Sequence, residues 1–120
     1  MDANQILDYC LGKKGVEETF PFNAETLVMK VAGKMFLLMP LEKQPLSIAV
    51  KTDPEWSEEL RAQYYQIEGA YHMNKVHWNS VICEGLKPDL IFKMIDHSYD
   101  LIVASLSKKS FFAGIILLLL

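Results

Sequence analysis

The sequence predicts an α+β domain in which helices cover one face of an antiparallel sheet, in a two-layer α-β3-α-β2-α order. Apolar residues recur at helical spacing in three segments and alternate with polar residues in the segments between them, as strands do. Three consecutive strands with short connections must be antiparallel neighbours. Two long helices each have a single apolar stripe, so both most simply cover the same face of one sheet.

The first two helices are predicted from their start and stop signals. Asp2 with Gln5 has the form of an N-terminal capping pair, and glycines at 12 and 15 end the first helix. Asp53 followed by Pro54 is a typical helix start, with an acidic N-cap and proline at the first helical position. The face expected to be buried on this second helix consists of three residues four apart: Trp56, Leu60 and Tyr64.

The third helix is predicted to open at Pro88-Asp89, after Gly85. Its apolar residues form one stripe at helical spacing: Ile91, Met94, Ile95, Tyr99, Ile102 and Leu106. The opposite, solvated face is expected to carry Lys93, His97 and Asp100.

Five strands are predicted between the helices. Residues 25–31 and 35–39 flank the tight turn Ala32-Gly33-Lys34 and form a β-hairpin, and residues 46–51 alternate again. Residues 70–72 and 77–83 are predicted as two further strands, joined by the polar turn Met73-Asn74-Lys75. The side of the sheet away from the helices is expected to be mixed and open, and to carry Val28, Lys30, Ser47, Ala49 and Lys51.

The composition favours one small domain in a reducing compartment. A chain of 120 residues can bury a core without disulfides, and Cys10 and Cys83 are expected to be buried thiols. The N-terminus lacks the basic and then apolar pattern of a signal peptide, so a cytoplasmic location is expected. Residues 1–107 contain 10 Lys and Arg against 15 Asp and Glu, a net charge of −5. This balance argues against indiscriminate coating of DNA and leaves room for a local basic patch.

A resemblance to the MmcQ/YjbR family of small bacterial proteins is carried by YHMNKVHWNSVICEG (71–85) and IDHSYDLIVASL (95–106). The earlier segments LDYCLGKKGVEETFPF (7–22) and SIAVKTDPEWSEELRAQY (47–64) match the same pattern in the same order. The resemblance covers roughly residues 5 to 107. It implies a two-layer fold that has been compared with secretion-chaperone and frataxin-like sheets. It also implies DNA binding, a label that members carry on structural analogy, and it supplies no catalytic residues.

The C-terminal segment departs from this family pattern. We take residues 1–107 as the single MmcQ/YjbR-like domain and 108–120 as an atypical hydrophobic tail. Three interpretations of the uncharged run 111–120 stay open: an altered terminus without a role, packing on the sheet or a partner, and attachment to a membrane. The run is half the length that spans a bilayer, so no membrane association is expected.

The densest polar and aromatic cluster is His72, Asn74, Lys75, His77 and Trp78. One interpretation is a loop that contacts a ligand or nucleic acid, with an indole to stack on a base. The other is a structural turn formed by the asparagine, with the tryptophan in the core. Two histidines five residues apart, without a carboxylate or thiol at ligand spacing, do not predict a metal site.

Lysines supply the second candidate feature. Lys30, Lys51 and Lys34 could line the open face of the sheet with Lys75 at its edge, although scattered surface lysines are the ordinary alternative. His97 beside Asp96 and Asp100 fits a solvated helix face better than an acid–base pair.

No pattern of catalytic residues is present, so an enzyme is not expected. The serines and cysteines lack a glycine elbow and an ordered base, and no glycine-rich phosphate loop occurs. No cofactor or metal is expected either, because a frataxin-type acidic ridge would need more than Asp2 and Asp8 on the first helix. Two hypotheses remain: a non-enzymatic domain that binds DNA, and an adaptor that binds another protein through the open sheet face.

Overall fold

A computed structural model describes residues 1–109, with side chains as far as Leu106. Three helices and six strands follow one another along this part of the chain. They are α1 (Ala3–Leu11), β1 (Val16–Thr19), β2 (Thr26–Val31), β3 (Lys34–Pro40), β4 (Ser47–Lys51), α2 (Pro54–Gln63), β5 (Ile67–Gly69), β6 (Trp78–Ile82) and α3 (Pro88–Lys109). Of the predicted tail 108–120, residues 108 and 109 belong to α3, and residues 110–120 lie outside the described residues.

The strands form one antiparallel sheet in the order β1-β2-β3-β4-β6-β5. The predicted α+β class and the antiparallel pairing of the three central strands are confirmed. The predicted number of strands is wrong, because β1 was missed. Its sequence, Val-Glu-Glu-Thr, has one apolar residue, and at the edge of the sheet only Val16 packs against the core.

The position of the fourth predicted strand is also wrong. The strand is Ile67–Gly69, and residues 71–77 form a loop where 70–72 had been assigned to a strand. Ile67 is buried opposite Val81, and Gly69, taken as a stop signal, pairs with Asn79. A three-residue edge strand is too short to display the alternation on which the prediction depended.

All three helices cover the same face of the sheet, as predicted. Each helix contributes apolar side chains to the core cluster that includes the inward-pointing residues of the strands. The central inward row runs across five strands as Leu27, Met39, Ile48, Val81 and Ile67. The helix residues packed on this face are Ile6, Cys10, Leu60, Ile91, Met94, Ile95, Ile102 and Leu106.

The outer face of the sheet is less open than predicted. Val28 and Ser47 point away from the helices, yet they are 0% and 4% exposed. Lys30, Ala49 and Lys51 are half-buried on this face. Cross-strand neighbours close over these positions, since Val28 lies between Thr19 of β1 and Leu38 of β3.

His97 does not lie on a solvated helix face, which corrects the prediction for α3. Its ring packs edge-on against Trp56, with 4.8 Å between the ring centres, and its Nε2 atom is 3.2 Å from the Asp53 carboxylate. The beginning of α2 crosses over this side of α3. Lys93 and Asp100 are exposed, as expected.

Candidate functional site

Two ends of the sheet differ in the loops that they carry. The loop end consists of the Ala32-Gly33 turn, the end of β4 at Lys51 and residues 70–77. The phenylalanine end consists of loops 20–25 and 40–46 and the segment that follows β6. Strand pairing places Val31, Lys34, Lys51 and Trp78 at the loop end, which gathers most of the predicted site residues there.

Arg61 of α2 holds the 70–77 loop in place. Its Nε atom donates to Oδ1 of Asn79 at 2.8 Å. Its Nη2 atom donates to the carbonyl oxygens of Lys75 at 2.5 Å and Trp78 at 3.2 Å. Because a guanidinium presents its donors in a rigid fork, these three bonds fix the loop against the start of β6.

A buried polar network of Asn79, Thr52 and Ser57 holds the partner of Arg61 in position. Nδ2 of Asn79 donates to Oγ1 of Thr52 at 2.8 Å, and the Thr52 and Ser57 hydroxyls are hydrogen-bonded to each other. Asn79, Thr52 and Ser57 are all fully buried. Among the described residues, no buried side-chain polar atom lacks a hydrogen-bond partner. Sequence reasoning missed this network, whose one signal was an asparagine at an inward position of a strand.

The tip of the loop presents an exposed aromatic ring flanked by basic groups. Tyr71 is 76% exposed. The His72 ring packs edge-on against it, with 4.8 Å between centres, and Nζ of Lys75 lies 5.0 Å from the Tyr71 ring centre. Tyr71 was not singled out from the sequence, because the residue was assigned to a strand.

Three of the predicted site residues have structural roles. Oδ1 of Asn74 accepts from the backbone N–H of Val76 at 3.0 Å, and its carbonyl accepts from the N–H groups of His77 and Trp78. The carbonyl of His77 accepts from the N–H of Thr52 at 2.8 Å. Trp78 is 8% exposed. Of the cluster predicted at 72–78, the structure therefore brings His72 and Lys75 together at an exposed tip.

Lys30 and Lys51 lie on the outer face towards the loop end. Lys51 is the strand partner of Trp78, and Lys30 is the strand partner of Glu17 and Met35. The next row of the outer face is uncharged through Val28, Leu38, Ala49 and Ser80, and it ends at the exposed Glu68 of the edge strand β5. The lysines therefore form a group at one end and not a strip along the sheet.

A second polar cluster joins α1 to α3. Nζ of Lys13 is 2.5 Å from Oδ1 of Asp96 and lies 5.1 Å from the ring centres of both Tyr9 and Tyr99. The Tyr9 hydroxyl donates to the same carboxylate at 2.7 Å, and this bond together with burial raises the pKa of Tyr9 to about 12. The Tyr9 hydroxyl is protonated at neutral pH and donates to Asp96. The cluster therefore links α1 to α3.

The family model for YjbR matches residues 11–101, about three-quarters of the chain. The chain belongs to the YjbR family. It is 30% identical to the uncharacterized protein YjbR of Escherichia coli K12 over 110 residues, which cover 91% of this chain and 93% of that protein. It is 37% identical to the uncharacterized protein YbdF of Escherichia coli O157:H7 over 95 residues, 78% of each chain.

Solved structures share the fold of this YjbR-family chain. A Deinococcus radiodurans protein with a DUF419 domain is 34% identical with a TM-score of 0.81, and the match covers 90% of this chain and 80% of that one. A crystal structure of a Pseudomonas syringae protein is 28% identical with a TM-score of 0.71, covering 84% and 98%. The predicted family and fold are confirmed.

Both thiols of this YjbR-family chain stay protonated at neutral pH. Burial raises the pKa of Cys10 to about 12 and that of Cys83 to about 11, so neither forms a thiolate at neutral pH. Within residues 1–109, no three His, Cys, Asp or Glu side chains are grouped so that they could hold a metal ion. None of the helices in that range is long and apolar enough to cross a membrane.

Proposed function

We propose that this YjbR-family chain is a non-enzymatic domain that binds single-stranded nucleic acid at the loop end of its sheet. The observation that carries the proposal is the exposed Tyr71 ring, flanked by His72 and Lys75 on a loop that Arg61 holds in place. A ring presented on a fixed loop loses little conformational entropy when a base stacks on it.

The chemistry of this loop matches what an unpaired strand offers. A base that stacks on an aromatic side chain contributes about 1–3 kcal/mol, and neighbouring lysines neutralise phosphates. Lys51 and Lys30 lie on the outer face at the same end of the sheet, at the positions opposite Trp78 and Met35. Trp78, the strand partner of Lys51, is only 8% exposed and is therefore not itself the stacking ring.

The net charge of −5 over residues 1–107 limits the expected affinity. Repulsion of phosphates by the rest of the surface makes binding modest and confines it to the loop end.

The test is the anisotropy of a fluorescently labelled 15-mer of oligothymidine, measured at several salt concentrations, with a 15-base-pair duplex alongside. We expect the single strand to bind more tightly and its affinity to fall with salt. Tyr71→Ala should weaken binding roughly 5- to 150-fold, the equivalent of about 1–3 kcal/mol. Lys75→Ala should reduce the slope of log affinity against log salt by about one unit.

Matched controls are available on the same chain. Tyr65 is 89% exposed but lies between α2 and β5, at the other end of the sheet, so Tyr65→Ala should leave binding unchanged. Lys43→Ala removes an exposed lysine from loop 40–46 and should not alter the salt dependence as Lys75→Ala does. The proposal would be wrong if the chain did not bind oligothymidine, or if the affinity did not depend on salt. It would also be wrong if Tyr65→Ala and Tyr71→Ala lowered the affinity equally.

A second candidate function is an adaptor that binds a protein on the outer sheet face. It is favoured by the neutral row there, where Leu38, Ala49 and Ser80 border a depression of about 120 Å³. The substitution Ala49→Arg would fill this depression with a charged side chain. It should dissociate a protein complex and leave oligothymidine binding intact; unchanged partner binding would exclude the outer face.

A further inference from the structure

The edge strand β1 has one hydrogen-bonded neighbour. It pairs with β2 through Val16–Thr19, and it is the last strand at its side of the sheet. Within the described residues, no other backbone segment hydrogen-bonds to it. An unpaired edge of this kind presents a row of N–H and C=O groups that can pair with a further extended chain.

Two features next to this edge specify what such a chain would be. Glu17 and Glu18 are exposed on opposite sides of β1, one on each face of the sheet. Phe20 and Phe22 follow directly, and they are 45% and 64% exposed. These two large aromatic side chains lie two residues apart, directly after the edge strand. An apolar side chain of a bound partner could cover both of them.

The loop that carries the phenylalanines is held in position. Oδ1 of Asn23 accepts from the N–H groups of Glu25 at 3.0 Å and Thr26 at 2.8 Å. The N–H of Leu41, itself 40% exposed, donates to the carbonyl of Glu25 at 2.7 Å. These bonds tie loops 20–25 and 40–46 together, so the apolar surface does not depend on a partner for its shape.

We propose that the β1 edge binds an extended basic peptide as a seventh strand, with an apolar side chain of the peptide covering Phe20 and Phe22. Successive side chains of an added strand point to opposite faces. Neighbouring basic residues of the peptide therefore meet Glu17 on one face and Glu18 on the other.

The same acids favour a basic peptide over a second copy of this chain as the occupant. Pairing of β1 with β1 would bring Glu17 and Glu18 of one copy against those of the other, and like charges directly opposite in a sheet are destabilising. Acidic residues on an edge strand are a known protection against self-association. A basic peptide is attracted by the charges that repel a copy.

The test uses two labelled eight-residue peptides of valine and threonine that contain one leucine and two adjacent charged residues at the centre, lysines in one peptide and glutamates in the other, so that the two charges point to opposite faces of an added strand. We expect the lysine peptide to bind, the glutamate peptide not to bind, and the double variant Glu17→Lys/Glu18→Lys to reverse this preference. The matched control is Glu58→Lys/Glu59→Lys on α2, which makes the same change of charge on exposed residues elsewhere and should keep the preference.

Two further measurements distinguish strand addition from simple attraction between charges. When the lysine peptide is present, amide hydrogen exchange should slow about tenfold at the residues of Val16–Thr19 whose N–H groups point away from β2. Phe22→Ser, an exposed loop substitution, should weaken peptide binding about fivefold or more and leave the thermal midpoint within about 2 °C. The proposal would be overturned by binding without protection of the β1 amides that point away from β2, by equal effects of both charge-reversal pairs, or by protection of those outward-pointing amides in the peptide-free chain.

Discussion

The two ends of the sheet both present exposed aromatic rings, but they hold them by different means. At the loop end, Arg61 reaches across from α2 and a buried network supports it. At the phenylalanine end, the loop is held by two short-range hydrogen bonds that the Asn23 side chain accepts and by one backbone hydrogen bond between neighbouring loops. Lys30, Lys51 and Lys75 lie at the first end, whereas Glu18, Glu25 and Glu42 outnumber Lys43 at the second. We therefore expect the exposed rings at the two ends to bind different partners, because the charges beside them differ.

The largest expected effect concerns the asparagines that organise each end. Asn79→Ala should lower the free energy of unfolding by about 2–4 kcal/mol, because it leaves the Thr52 hydroxyl and the Arg61 Nε without their buried partner. Urea unfolding, followed by circular dichroism, measures this change.

Asn23→Ala is the corresponding change at the phenylalanine end and should cost about 1 kcal/mol, because the freed N–H groups of Glu25 and Thr26 belong to an exposed loop that water can reach. Equal losses for the two variants would show that burial of the network does not distinguish the ends.

The next effect concerns the rigidity of the loop end. Arg61→Lys keeps the charge but loses the fork, so amide exchange in residues 70–77 should accelerate about tenfold and oligothymidine affinity should fall several-fold. Arg61 does not contact the proposed stacking surface directly and acts by positioning it. Amide exchange in loop 20–25 serves as the internal reference and should not change. Faster exchange in both loops would indicate general destabilisation instead.

Much of the fold could be predicted because most elements have strong local patterns. The strands β2, β3 and β4 lie within one residue of their predicted limits, and α1 has the capping box that Asp2 and Gln5 indicated. The edge strands could not be predicted. β1 has one core residue, and β5 has three residues in all, so neither shows a period.

The site could be predicted only as far as its location. The polar segment around His72 and Lys75 indicated an exposed loop, which the structure contains, and its role in binding stays a prediction. The support for that loop depends on Arg61, Thr52 and Asn79, which lie far apart in the sequence and meet only after the sheet has formed. Likewise, the burial of Val28 on the outer face depends on β1, which the sequence did not reveal.

The two buried thiols, one near each end, predict how the free energy of unfolding depends on pH. Cys83 follows β6 at the phenylalanine end, and burial raises its pKa to about 11, whereas Cys10 beside the Lys13 cluster is raised to about 12, both from an ordinary 9.0. The folded chain keeps both protons where the unfolded chain has lost them, so the free energy of unfolding falls as pH rises above 9. The slope contributed by each thiol is at most about 1.4 kcal/mol per pH unit.

Urea unfolding between pH 8 and 10.5 tests this expectation. Cys10→Ala and Cys83→Ala should each flatten the pH dependence, and native Cys83 should react with a thiol reagent before Cys10 does as the pH rises. A free energy of unfolding that increases over this range would contradict the assigned burial of the thiols.

The smallest effect is a gain in stability at the loop end. Ala32 has φ of 49° in the turn between β2 and β3, a conformation that asparagine and glycine adopt more readily. Ala32→Asn should raise the free energy of unfolding by about 0.5–1 kcal/mol. Gly33→Ala, at φ of 79°, should lower it by about 1 kcal/mol. A loss of stability with Ala32→Asn would argue against this turn conformation.

The most direct test of two separate surfaces is the set of amide chemical shifts of the labelled full chain, recorded with oligothymidine and then with the lysine peptide. The account predicts that oligothymidine shifts residues 70–78 and the amide of Lys51, while the peptide shifts Val16–Thr19 and loop 20–25. Overlapping sets of shifted amides would contradict it, as would oligothymidine shifts centred on Phe20 and Phe22.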